Sequence, residues 1–100
     1  MRGYILGFLT FEWDEEKYEI NRKKHGISFE EAQTVFDDDN SIYKRDIKHS
    51  VNEERFYVLG MSAKPRLLLV CHCIRDGNVV RIFSARPAKK SEKLEYESRR

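Results

Sequence analysis

The sequence contains no apolar run approaching the ~20 residues that a transmembrane helix needs. The expectation is a soluble protein, cytoplasmic by default and with no membrane partner. The opening MRGYILGFLT supplies one arginine and a few apolar residues but no small-residue cleavage site, so it reads as a first strand with its lead-in. Cysteine is scarce too. The only two lie in one predicted strand as Cys71-His72-Cys73, whose period of two puts the thiols on one face and the imidazole on the other. A structural zinc site takes four ligands, typically from turns with C-x2-C spacing. Three candidates split between two faces point to buried free thiols, and neither a metal nor a cofactor is expected. Neither charge sign dominates: 19 basic and 17 acidic residues leave +2 and a pI near 8.6, short of the basicity that alone announces a nucleic-acid binder.

What is present suffices for one folded unit. With 40% hydrophobic and 36% charged residues, the composition is that of a small globule, a single domain over 1–100 without repeats, linkers or low-complexity segments. Charge is unevenly spread. Acids crowd into 12–19 and 30–39, bases into 22–24 and 81–100, so one face can be positive while the sum stays small.

Leu9 to Trp13 reads as a strand, after which Asp14 is placed to cap a helix. Glu15 and Glu16 fill the first turn of that helix, Arg22, Lys23 and Lys24 its last, and Gly26 is its left-handed stop. Only Tyr18 and Ile20 can anchor it. Ser28 opens a second helix in a capping-box pattern with Glu31, and Phe29, Ala32, Val35 and Phe36 follow at helical spacing as core. Asp37 to Asp39 reads as a solvated turn. Further strands are expected at 41–46, 56–61, 67–74 and 79–85; the third of these is the most apolar and so central, and an Asp76-Gly77 hairpin joins it to the fourth. A last helix should start at Pro87 and run to about Ser98. The order β-α-α-β-β-β-β-α describes an antiparallel sheet carrying helices, an α+β fold.

Two basic clusters form the candidate functional surface. Arg81 and Arg86 sit on or just past the strand preceding the last helix, where a guanidinium's five donors can grip a phosphate bidentately. On a strict period of two they point to opposite faces, so they converge only if the strand bulges near Ser84 to Pro87. Otherwise they edge the sheet and pair with carboxylates. Lys17, Asn21, Lys24 and His25, at i, i+4, i+7 and i+8, share one face of the first helix, either a second anion-binding patch or a solvated surface.

Several motifs then fall together: FEWD at 11–14, N-x-x-K-H-G-I-S-F-E-E-A from Asn21 to Ala32, V-F-D at 35–37, H-S at 49–50, E-E-R at 53–55, and R-I-F-S-A-R-x-A-x3-E-x3-Y from Arg81 to Tyr96. In order and spacing the chain resembles the BrnT toxins of type II toxin-antitoxin systems. The resemblance covers roughly Phe11 to Glu97, and residues 1–10 exceed the short lead expected before FEWD. It implies a RelE-like fold, a small antiparallel sheet with two helices in the N-terminal half and one at the C-terminus. It implies an endoribonuclease that arrests translation by cutting RNA. It also implies a cognate BrnA-type antitoxin as partner, with operator DNA reached only indirectly through the antitoxin complex.

A ribonuclease working without metal must take the proton from a ribose 2′-hydroxyl, steady the charge on the phosphoryl oxygens and protonate the leaving 5′-oxygen. Arg81 and Arg86 suit the phosphoryl charge, with Arg55 as a further candidate. Lys24, His25, Glu54 or Tyr96 could serve as base or acid; Asn21, Arg55 and Tyr96 are candidates for holding the RNA. Each has a structural reading beside it. Lys24 can simply attract phosphate, His25 can cap the first helix, Glu54 can pair with an arginine, and Glu92 with Tyr96 can dock the last helix. A non-catalytic module that binds RNA or antitoxin would use the same basic face without a proton carrier.

Overall fold

The computed structural model describes residues 2–6 and 8–99, with side chains from residue 8 onward. Met1, Gly7 and Arg100, parts of the expected 1–10 lead-in and 1–100 domain, lie outside the described residues. Strands β1 (Arg2–Leu6) and β2 (Leu9–Trp13) lead into helices α1 (Glu15–His25) and α2 (Phe29–Gln33) and a 3-10 turn, Thr34–Asp37. Strand β3 (Ile42–Arg45), a second 3-10 turn (Ile47–His49), strands β4 (Phe56–Met61), β5 (Leu67–Arg75) and β6 (Val79–Pro87), and helix α3 (Lys90–Ser98) follow. One six-stranded sheet results, ordered β1-β2-β6-β5-β4-β3.

The α+β class stands, with two corrections to the sheet. Residues 2–6 are a strand of their own, antiparallel to β2, so the order opens β-β. The sheet is mixed and not antiparallel throughout: β2 runs parallel to β6, pairing Thr10 with Val79, Phe11 with Val80 and Glu12 with Arg81. Alternation marks a segment as a strand, but which remote strand becomes its neighbour depends on where the apolar face can be buried. That face carries Phe11, Trp13, Val70, Val80 and Ile82, packed against Ile27, Phe29, Ala32 and Val35. The Asp76-Gly77 hairpin is as expected, both residues having positive φ, and Gly26 ends α1 at φ 70°.

Helix α1 is held chiefly by a polar anchor. Tyr18 packs on the core, but Ile20 is exposed, against expectation. Strand β2 accompanies β6 only as far as Arg81, which leaves the backbone of Ala85 needing partners on that edge. The buried Asn21 side chain supplies them. Its Oδ1 accepts from the Ala85 N–H at 3.1 Å, and its Nδ2 donates to the carbonyls of Ala85 at 2.9 Å and Ile27 at 3.1 Å.

Three local expectations change. Ser28 Oγ accepts from the Glu31 N–H at 3.1 Å, but the Glu31 carboxylate turns away to Arg66 (2.6 and 2.7 Å) and Ser62 (2.7 Å), so only half the capping box forms. Pro87 closes β6 and does not open α3, whose N-cap is Lys89. Asp38 is no solvated turn residue: its Oδ2 accepts from the Met61 N–H at 2.8 Å and from the Tyr96 hydroxyl at 2.6 Å. Tyr96, buried with Ile42 and Leu59, thereby docks α3 on the sheet face opposite the main core. Among the described residues no helix is long and apolar enough to cross a membrane.

Candidate active site

The site begins with a slip in register. Ile82 faces His72 and Ser84 faces Cys71, so Phe83 is an extra residue on β6, a β-bulge. It resets the period of two: Arg81 opposite Cys73, Ser84 opposite Cys71 and Arg86 opposite Leu69 share the face away from Val80 and Ile82. The bulge lies just before the segment where it was expected and brings both arginines to one side. Arg86 forms a two-pronged pair with Glu92, Nη1 to Oε1 and Nη2 to Oε2 at 2.9 Å each. Arg81 lies deeper, its side chain 13% exposed, 3.8 Å from Glu12 Oε2.

A knotted loop between β3 and β4 faces the same strip. Asp46 N–H donates to the Arg55 carbonyl (2.7 Å), Ser50 Oγ donates to the Asp46 carbonyl (2.6 Å), and Arg55 N–H donates to Ser50 Oγ (2.9 Å). Inside this closure Asp46 Oδ2 lies 2.8 Å from His49 Nδ1, which fixes the ring and leaves Nε2 as its other nitrogen. Burial pushes the Asp46 pKa up, but hydrogen bonds from His49 and Tyr57 outweigh it and hold the carboxyl below its ordinary range. Tyr57 is pushed up to about 12 by burial and by Asp46, so it stays protonated. The Arg55 guanidinium lies 4.0 Å from the centre of the bulged Phe83 ring, and its buried Nε has no acceptor among the described residues.

Lys17, His49, Arg55, Tyr57, Phe83 and Ser84 line a cavity of ≈ 240 Å³ with Asp46 and Cys71. Burial raises the Cys71 thiol to about 11, which keeps it from acting as a thiolate nucleophile. A second cavity, of ≈ 270 Å³, shares Tyr57 and includes Arg86, Glu92, Lys44 and Glu95. The two therefore adjoin. His25 is half-buried beside these groups; burial first, then the charges of Lys24 and Arg86, push its pKa below 6.5 and favour the neutral ring.

The residues predicted for the site divide accordingly. Arg55 and Arg86 line the adjoining cavities, with His25 near Arg86 and Lys24 exposed; Arg81 lines neither cavity and sits further along the same face of β6, beside Glu12. Glu54 is exposed, 3.5 Å from Arg45. Asn21 and Tyr96 are buried with their polar atoms spent on Ala85, Ile27 and Asp38. Sequence reasoning missed His49, Asp46 and Tyr57 as site members, whereas Lys17 belongs to the basic patch expected on the first helix. For His49 a signal existed in the H-S motif, three residues after an aspartate in a polar loop between strands. Among the described residues, no three His, Cys, Asp or Glu side chains converge as a metal would require.

Cationic side chains, an oriented imidazole and a ring stacked under a guanidinium define a small α+β protein with a cleft suited to a phosphodiester. Residues 13–92 match the family described as ribonuclease toxin, BrnT, of type II toxin-antitoxin system, and the chain belongs to that family. Among solved structures it is similar to the crystal structure of the Brucella abortus ribonuclease toxin BrnT. The identity is 20% and the TM-score 0.59, over 80% of this chain and 96% of that one, a likeness of fold. No curated protein matches the chain.

Proposed function

We propose that this toxin is a metal-independent endoribonuclease of RelE-like type, which arrests translation by cutting RNA in the cleft over β6 and is neutralised by a BrnA-type antitoxin. Operator DNA is reached only through the antitoxin complex. One observation carries the reading: the buried Arg55 Nε without an acceptor shares a cavity with His49, which Asp46 orients. A phosphate oxygen supplies the acceptor that Arg55 lacks.

Arg55 and Arg86 grip the phosphoryl oxygens, and Arg81 adds charge from further along the same strand face. The ribose 2′-oxygen forms a bond to phosphorus as the bond to the 5′-oxygen breaks, giving a 2′,3′-cyclic phosphate and a 5′-hydroxyl. His25, kept neutral, accepts the 2′-proton, and His49 delivers one to the leaving 5′-oxygen. Lys17 and Lys24 draw in the backbone, and the Arg55 plane over Phe83 offers a stacking surface for a base. Glu54, Asn21 and Tyr96 serve the fold in this scheme.

Purified protein incubated with an RNA oligonucleotide, with and without EDTA, tests it, the product ends being read by phosphatase sensitivity. Cyclic-phosphate ends formed equally in EDTA are expected, and stoichiometric antitoxin should stop their formation. Activity lost in EDTA and restored by magnesium or zinc overturns the mechanism. Binding without cutting leaves the non-catalytic module.

A further inference from the structure

Arg86 keeps two of its five donors in reserve. Its Nη1 donates to both Glu92 Oε1 (2.9 Å) and the Pro87 carbonyl (3.2 Å), and its Nη2 donates to Glu92 Oε2 (2.9 Å). Three of the five N–H groups a guanidinium carries are thereby used. The two left among the described residues, Nε–H and the second Nη2–H, lie along one edge, the other fork a guanidinium can offer to an oxyanion. We infer that Glu92 is a positioning residue of the site: its carboxylate clamps the Arg86 guanidinium end-on, so that the Nε–Nη2 edge is presented to the RNA phosphate. This rests on the ribonuclease reading above.

Glu92 is itself anchored. Its Oε1 accepts from the Lys89 N–H at 2.7 Å, closing the first turn of α3, so the arginine is tied through one carboxylate to a helix terminus. Burial pushes the Glu92 pKa up, but the hydrogen bonds from Arg86 and Lys89 outweigh it, and the carboxyl is held below its ordinary range. A carboxylate merely standing in for the substrate would be expected to leave when phosphate arrives. Glu92 has a second, backbone-directed bond that keeps it in place, and the fork it occupies is not the one left open.

The test is a cycle of four proteins: wild type, Glu92→Gln, Arg86→Ala and the double variant. Each is assayed on one single-stranded RNA oligonucleotide carrying a fluorophore and quencher, with melting temperature and antitoxin binding measured alongside. Glutamine keeps an oxygen for the Lys89 N–H but loses the two-oxygen charged clamp. Expected is a kcat about 10- to 100-fold lower for Glu92→Gln, with KM, melting temperature and antitoxin binding near wild type. The same substitution in the Arg86→Ala background should have no further effect. Glu92→Gln cleaving as fast as wild type or faster overturns the proposal, the latter marking Glu92 as a competitor of phosphate. An equal loss in both backgrounds overturns it too, since the effect then bypasses Arg86. If folded Arg86→Ala cleaves normally, the placement of Arg86 falls and the clamp with it; if Arg86→Ala is inactive while Glu92→Gln is not, the clamp alone falls.

Discussion

In the proposed mechanism His49 acts through its neighbours. Asp46 holds its Nδ1, the Ser50 hydroxyl closes the loop, and the ring lines the cavity that Arg55 enters. With 52% of its side chain exposed, the ring buries little, and what it adds to stability is the bond to Asp46. His49→Ala should therefore lower RNA cleavage by ~10²-fold or more with only a small fall in melting temperature. A folded His49→Ala variant that cuts normally would remove His49 from the mechanism. Asp46→Asn should lower both cleavage and melting temperature, because the same carboxylate orients the ring and ties the loop. His25 can be probed through its neighbour. Lys24 depresses the His25 pKa, so removing that charge in Lys24→Ala should raise it. If neutral His25 is the base, the acid limb of the pH profile of kcat/KM should move to higher pH in Lys24→Ala, and an unmoved limb would assign the base elsewhere.

At the scale of elements, the fold depends on places where one element stands in for another. Asn21 completes β6 where β2 stops. Asn21→Ala strands the Ala85 N–H and two buried carbonyls, which should cost about 2–4 kcal/mol in urea unfolding. A variant of unchanged stability with weakened RNA affinity would instead return Asn21 to the binding surface. Gly60 marks a second close approach: a Cβ there would meet Val35 Cγ1 at 2.7 Å. Gly60→Ala should destabilise by about 1–3 kcal/mol, checked by the same unfolding curves. These dependencies explain what was legible in the sequence. Strands, the Asp76-Gly77 turn and the Gly26 stop are written in local pattern and were readable. The bulge at Phe83 was readable only as a condition for Arg81 and Arg86 to meet. The parallel β2–β6 pair and the use of Asn21 were not, because both depend on residues far apart in sequence: Asn21 and Ala85 are 64 positions apart. Asn21 was grouped with Lys24 and His25 because helical spacing gives a shared face but not what covers it. His49 was passed over because its partner Asp46 looks like any loop acid until the loop closes.

Over the whole molecule, the sheet divides the chemistry: one face is a dry core beneath α1 and α2, the other bears the cleft and the seat of α3. One titratable ring crosses to the dry side. His72, on the centrally placed β5, is 1% exposed among Phe36, Phe56 and Tyr43, with ring centroids 4.8, 6.0 and 6.2 Å away. Among the described residues its one polar contact is Nδ1 to the Val70 carbonyl at 3.4 Å, too long to offset the loss of water. Burial pushes its pKa from 6.5 down to about 4. Between those values the unfolded chain binds a proton that the folded one refuses. His72 therefore leaves stability intact above pH 6.5 and withdraws it as pH falls towards 4, by about 3 kcal/mol in total. Glu31, Asp46 and Glu92, all with lowered pKa values, also withdraw stability in acid, but only as pH falls below the ordinary carboxylate range. The upper part of the acid transition, above about pH 5, should thus belong chiefly to the fully buried His72, with a share from His25, whose pKa is also lowered by partial burial. Urea unfolding of the wild type from pH 7.5 to 5 should show stability falling, whereas His72→Phe, which keeps an aromatic ring without the titrating nitrogen, should fall much less over that range, the remaining slope being that of His25. Parallel slopes for the two proteins would show that the ring is hydrated or that another group governs the window.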